Sequence, residues 1–273
     1  MKKFEGILIC TDLDGTLLRG DKSISRENLD AIEYFKSEGG LFTFITGRMP
    51  YYSTHIYETI KPDCPFGCIN GGGIYDHIKN EYVFARTMPR DVMELVEQVD
   101  KKLPMIGIQV YTFDKLYFCK ENLAMEHFRL VTGMPNLVRH YNDVTEPVAK
   151  IVFGDTEEEN IEALESLLLS HPRANEFDFV RSEKILFEIL PKGIGKGVVV
   201  EKLSEILGID IKRTVAVGDY NNDISMLKKA GIGIAVANAR PEVKEAADII
   251  TVSNEEHAIA RIISDIENGN IKI

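Results

Sequence analysis

Short apolar runs alternate with amphipathic stretches along the first part of the chain. Residues 6–10 and 41–45 are brief apolar runs, the pattern of strands covered on both faces. Between them, Leu29, Ile32 and Phe35 recur at helical spacing, with Ser25 as a candidate N-cap and Gly39-Gly40 as a stop. A third strand is expected at 66–69, ending at Asn70-Gly71-Gly72-Gly73, a strong turn signal. The rhythm returns near the C-terminus. Helices are expected at 195–207 and 222–229, strands at 214–217, 232–236 and 249–252. A closing helix carries Ile259, Ile262, Ile263 and Ile266 on one stripe. Strands that alternate with helices predict an α/β fold with a mostly parallel, doubly wound sheet.

The middle of the chain breaks this alternation. A helix is expected at 92–99, a hairpin from 106–111 and 115–118, and a strand at 148–153. Thr156 and Glu159 are spaced as a capping box for a helix through Leu169, and 178–181 with 185–190 form another strand pair. Neighbouring strands mixed with helices predict an α+β insert at 82–188, between two halves of one α/β core, 1–81 and 189–273.

Composition narrows the function. The chain has 273 residues and a formal charge of −11, which disfavours nucleic acid and anionic membrane surfaces as partners. No apolar run reaches the roughly 18–20 residues that span a bilayer, and 6–10 is too short for a signal peptide. A cytoplasmic protein is expected. Cys10, Cys64, Cys68 and Cys119 lack the paired C-x-x-C spacing of a zinc site, so idle thiols in a reducing compartment are the reading.

The strongest chemical signal is Asp12-Leu13-Asp14-Gly15-Thr16, directly after the first apolar run. Catalytic groups of open parallel sheets lie at the carboxyl ends of strands, and Gly15 permits a sharp turn. A second acidic loop, Gly218-Asp219-Tyr220-Asn221-Asn222-Asp223, also follows a strand. Taken alone it reads as a turn and N-cap. Should both loops end adjacent strands, four acids converge and repel unless a cation is present, and hard oxygens favour Mg²⁺. Thr46-Gly47-Arg48 ends the second strand, and Lys196-Gly197 opens a helix, so a hydroxyl, backbone amides and a compensating cation are at hand. Taken singly, these two read as an ordinary helix start and a solvated lysine. The glycines around Lys196 do not complete G-x-G-x-x-G, because Val198 stands at the third position.

These four stations, in this order, resemble the haloacid dehalogenase-like (HAD) superfamily of phosphotransferases, in its Cof-type subclass IIB, over essentially the whole chain. The resemblance implies a Rossmann-like core with an inserted α/β cap of type IIB at 82–188 that closes over the phosphate pocket. It implies a Mg²⁺-dependent phosphatase with Asp12 as nucleophile and Asp14 as general acid, then base. Asp12 and Asp219 would bind Mg²⁺ through side chains and Asp14 through its backbone carbonyl. Leu13 (by its amide), Thr46, Gly47, Lys196 and Asn222 would hold the phosphate oxygens, with Arg48 and Asp223 supporting them from one layer behind. A small phosphorylated metabolite is the expected partner, and no obligate protein partner is inferred. Tyr111, His127, Arg181 and Glu183 are candidates for contacts to the leaving group.

Two unit charges 4 Å apart repel by roughly 4 kcal/mol at an effective dielectric near 20. A carboxylate attacking a phosphate dianion therefore needs the cations. A phosphomutase or other sugar-phosphate transferase would use the same loops. A phosphoaccepting signalling domain would be shorter and would have no use for Asp14. Dehalogenase chemistry shares the nucleophile but needs neither Asp14 nor the second acidic loop.

Overall fold

The computed structural model describes residues 2–273, which divide into two compact units, 2–84 with 195–273 and 85–194. In the first unit the strands Leu8–Thr11, Leu41–Phe44, Thr214–Gly218, Ile232–Ala235 and Ile249–Ile250 form one parallel sheet. Leu8–Thr11 is flanked by Leu41–Phe44 on one side and Thr214–Gly218 on the other. From that point the chain winds outward in both directions. Parallel neighbours joined through helices make this the doubly wound α/β fold expected. The helix Arg26–Ser37 packs with Ala258–Glu267, and Lys196–Leu207 packs with Ile224–Lys229.

The local reasons are visible in the side chains. Ser25 Oγ accepts the Asn28 N–H at 3.2 Å and opens the first helix. Phe35 from that helix lies so close to Gly40 that a Cβ there would sit 2.3 Å from its ring. The apolar stripe of the last helix is buried at Ile259, Ile262 and Ile263.

Two expectations about this unit need correction. Phe66–Cys68 does not extend the parallel sheet as a full strand. It touches that sheet through a single bridge, Ile45 to Gly67, and otherwise pairs antiparallel with Gly73–Asp76 in a three-stranded sheet that includes Glu81–Ala85. The turn at Asn70-Gly71 folds the chain straight back, which ends the run after three residues. The helix expected to start at Asn222 starts at Ile224, because residues Asn221–Asp223 make a tighter 3₁₀ turn.

The second unit carries a five-stranded antiparallel sheet in the order Leu116–Lys120, Gly107–Thr112, Val148–Gly154, Leu186–Pro191, Phe177–Glu183. Helices Met93–Lys102 and Glu158–Leu169 bury Leu95, Val96, Val99, Ile161 and Leu164 against Ile108, Val110, Ile151 and Phe153. The capping box at Thr156 is not formed. Asp155 Oδ1 instead takes the Glu157 N–H at 2.8 Å and the Asn160 side-chain amide at 3.1 Å, a turn just ahead of the helix, whose own start has no side-chain cap. Among the described residues no helix is long and apolar enough to cross a membrane.

Candidate active site

Register brings the two acidic loops together. Thr11 pairs with Val217, and the Asp12 N–H donates to Val217 O at 2.8 Å, so Asp12 and Asp219 leave neighbouring strands at the same end. This is also where the winding direction of the sheet reverses, the place where open α/β sheets bind ligands. Gly15 adopts φ +81°, and a Cβ there would lie 2.6 Å from Asp219 Oδ2. Only glycine lets the two loops approach this closely. Thr16 Oγ1 donates to Asp219 Oδ1 at 2.7 Å and fixes that carboxylate.

Lys196 enters from the opening turn of its helix. Gly197 makes this possible: a Cβ there would sit 2.4 Å from Ser225 O, so the two helices cross in close contact. The Lys196 side chain is 1% exposed, and its Nζ donates to Asp12 Oδ1 and to Asp223 Oδ1, each at 2.5 Å. Asp223 Oδ2 accepts the N–H groups of Asp219 at 2.8 Å and Tyr220 at 3.0 Å. Asp223 therefore shapes the acidic loop and steers the lysine at once.

Asp12, Asp219 and Asp223 each offer an oxygen within 4.8 Å of the others. One lysine faces three acids, and the titration behaviour reflects this. Burial pushes Asp12 well above the usual carboxylate range against the pull of Lys196, and Asp223 and Asp219 add to the rise. Burial, then the Asp223 charge, pushes Asp219 up to about 7. Burial would lower Lys196, but Asp12 and Asp223 outweigh it and hold the ammonium charged. The cluster thus lacks positive charge. Three buried hard oxygens short of a counter-charge suit a divalent cation.

Asp14 behaves differently. Its carboxylate turns to Arg48, at 2.9 Å from Nε and 2.6 Å from Nη2, and to Lys22 Nζ at 2.8 Å. Burial favours the neutral acid, but Arg48, then Lys22, overcome it and hold Asp14 below its usual value. Thr46 and Gly47 follow Leu41–Phe44. Thr46 is buried, its hydroxyl accepts the Arg48 N–H at 3.2 Å, and its own N–H donates to Gly67 O at 3.0 Å. Leu13 is buried, with Leu18 N–H on its carbonyl at 2.8 Å. Asn222 Nδ2 donates to Asn70 Oδ1 at 3.1 Å.

The ten residues expected to serve catalysis, phosphate or metal all lie in the first unit. Lys22, Asn70 and Asn238, whose amide holds Gly15 O at 2.8 Å, were not assigned to the site, and Thr16 stood in the first motif without a role of its own. In the second unit, Tyr111 OH donates to Gln109 Oε1 at 3.1 Å and Arg181 pairs with Glu158 at 3.0 Å, while His127 and Glu183 are exposed.

The family model for haloacid dehalogenase-like hydrolases matches residues 9–263. The chain belongs to that family. This hydrolase is 29% identical over 265 residues to the 5-amino-6-(5-phospho-D-ribitylamino)uracil phosphatase YitU of Bacillus subtilis, covering 94% of this chain and 96% of the relative. It is 30% identical over 260 residues to YcsE, a phosphatase of the same name from the same organism, with 94% of each chain covered. Among solved structures, a haloacid dehalogenase-like hydrolase from Bacteroides thetaiotaomicron shares 27% identity and a TM-score of 0.81, over 95% of this chain and 99% of that one. The resemblance read from the four loops is borne out, and the protein is a phosphatase of this family.

Proposed function

We propose that this hydrolase cleaves small phosphate monoesters, sugar phosphates or phosphorylated cofactors, with Mg²⁺ as cofactor and an aspartyl-phosphate intermediate on Asp12. The observation that carries the reading is the buried cluster of Asp12, Asp219 and Asp223 around Lys196 at adjacent strand ends. Mg²⁺ would be held by the Asp12 and Asp219 side chains and the Asp14 carbonyl, and when bound would supply the charge that lets a carboxylate approach a phosphate. Lys196, the Asn222 amide, Thr46, Gly47 and the Leu13 amide would cradle the phosphate oxygens.

In the first step an Asp12 oxygen bonds to phosphorus as the bond to the alcohol oxygen breaks, and Asp14 supplies the proton that the alcohol carries away. In the second, Asp14 takes a proton from water, whose oxygen displaces phosphate from Asp12. Arg48 and Lys22 hold Asp14 ionised, so these contacts must loosen before it donates. We assign residues 82–188 to the cap that selects the leaving group. The printed names of YitU and YcsE specify a phosphorylated ribityl compound for those proteins; for this chain the class of small monoesters is the reading. The four cysteines form no disulfide, in keeping with the cytoplasm as its place of action.

The test is Asp12→Asn, assayed with p-nitrophenyl phosphate and Mg²⁺. The variant should fold, because the side chain is nearly isosteric, and lose nearly all turnover. Turnover within about tenfold of the native enzyme would refute the assignment of the nucleophile.

A further inference from the structure

The turn that follows Phe66–Cys68 is strained in an unusual way. Ile69, Asn70 and Gly71 all adopt left-handed backbone, with φ of 56°, 52° and 96°. Glycine is at ease there and asparagine tolerates it, but a β-branched isoleucine does not. Strain of this kind persists only where the surrounding fold imposes it, and it gathers at functional sites.

What the turn touches explains its position. The Ile69 N–H donates to Arg48 O at 2.9 Å and the Asn70 N–H to Thr46 O at 3.0 Å. A Cβ on Gly47 would lie 2.9 Å from Asn70 Oδ1, so the Asn70 amide rests directly on the Gly47 backbone. A Cβ on Gly71 would lie 2.3 Å from Gly195 O, so the turn also abuts the residue before Lys196. Asn70 Oδ1 then accepts from Asn222 Nδ2 at 3.1 Å. One buried turn thus meets three of the four loops. The Asn222 Oδ1 is buried and has no hydrogen-bond partner among the described residues. The bond to Asn70 is therefore the side-chain contact that orients the Asn222 amide, whose Nδ2 keeps a second hydrogen for a phosphate oxygen.

We propose that Asn70 is a positioning residue, whose buried amide on the Gly47 backbone sets Asn222 to donate to the phosphate of the substrate. The inference rests on the reading of Asn222 as a phosphate ligand under Proposed function. Asn70→Gly is the chosen variant, because glycine keeps the left-handed turn and removes only the amide. Its thermal midpoint, its KM and kcat for p-nitrophenyl phosphate, and its inhibition constant for inorganic phosphate are measured beside Asn222→Ala and the double variant. Expected are an unchanged midpoint, an inhibition constant and a KM raised about tenfold in each single variant with a smaller change in kcat, and a double variant no worse than Asn222→Ala alone. An unchanged inhibition constant in Asn70→Gly, with or without a lowered midpoint, overturns the proposal, as does a double variant that multiplies the two single effects. Should Asn222→Ala itself bind phosphate normally, the reading of Asn222 falls first and takes this inference with it.

Discussion

Asp219 makes the metal-free enzyme sensitive to pH in a direction opposite to most acid-paired proteins. Its carboxyl titrates at about 7 in the folded chain against an ordinary 3.8. At about 1.36 kcal/mol per unit, the difference is worth on the order of 4 kcal/mol. Below about pH 4 the folded and unfolded forms both hold the proton and nothing is lost. As pH rises to about 7 the unfolded carboxyl ionises while the folded one keeps its proton, so stability falls, and above 7 the full penalty applies. The assay is urea or thermal unfolding in chelator from pH 4.5 to 8, on the native chain and on Asp219→Asn. Taking the difference between the two cancels the histidines. The amide introduced by Asp219→Asn would still accept the Thr16 hydroxyl and carry no charge. The variant should exceed the native chain's midpoint by only about 2 °C at pH 4.5 and by roughly 8 °C at pH 8, at about 2 °C per kcal/mol. Mg²⁺ should recover the native chain at pH 8. The reasoning fails if Asp219→Asn is no more stable at pH 8 in chelator, or if its advantage shrinks as pH rises.

Two further outcomes follow from the same cluster. Lys196→Ala leaves three buried acids without their lysine and should cost about 3–5 kcal/mol in urea unfolding at pH 8. It should also weaken inhibition by inorganic phosphate, and unchanged KM and kcat would remove Lys196 from the site. Arg48→Gln frees Asp14 from its strongest partner, so the Asp14 pKa rises. The alkaline limb of the rate profile should move to higher pH while kcat falls roughly tenfold, and an unmoved limb would separate Arg48 from Asp14.

Much of the core was legible because its chemistry sits where apolar runs stop. Asp12, Thr46 and Asp219 each follow a strand within two residues, and a run of β-prone residues is readable without coordinates. What brings them together was not. That Thr11 faces Val217 across one register is a property of strand order, and strand order depends on crossover handedness and long-range packing. The partners of the site were hidden for related reasons. Asn70-Gly71 reads as a turn and is one, yet its contacts with Gly47 and Asn222 arise only from the fold. Lys22 lies outside every motif and Thr16 closes the first one without a role legible from spacing, and each matters through a single hydrogen bond to an acid. The spacing of Thr156 and Glu159 suited a capping box, but the helix starts at Glu158 without a side-chain cap, and Asp155 turns the chain ahead of it.

The unit that holds the acidic cluster is built from segments on either side of an insertion of more than a hundred residues, 85–194. Leu8–Thr11, an interior strand of its sheet, pairs with Thr214–Gly218, the central one, some two hundred residues later. At about 5–20 residues per second of synthesis, a nascent chain carries one flank of that strand bare for roughly 10–40 s. Asp12 likewise waits for the lysine that neutralises it. Early domain folding on the ribosome is therefore open to 85–194, while the unit that holds the acidic cluster completes only when translation is nearly over.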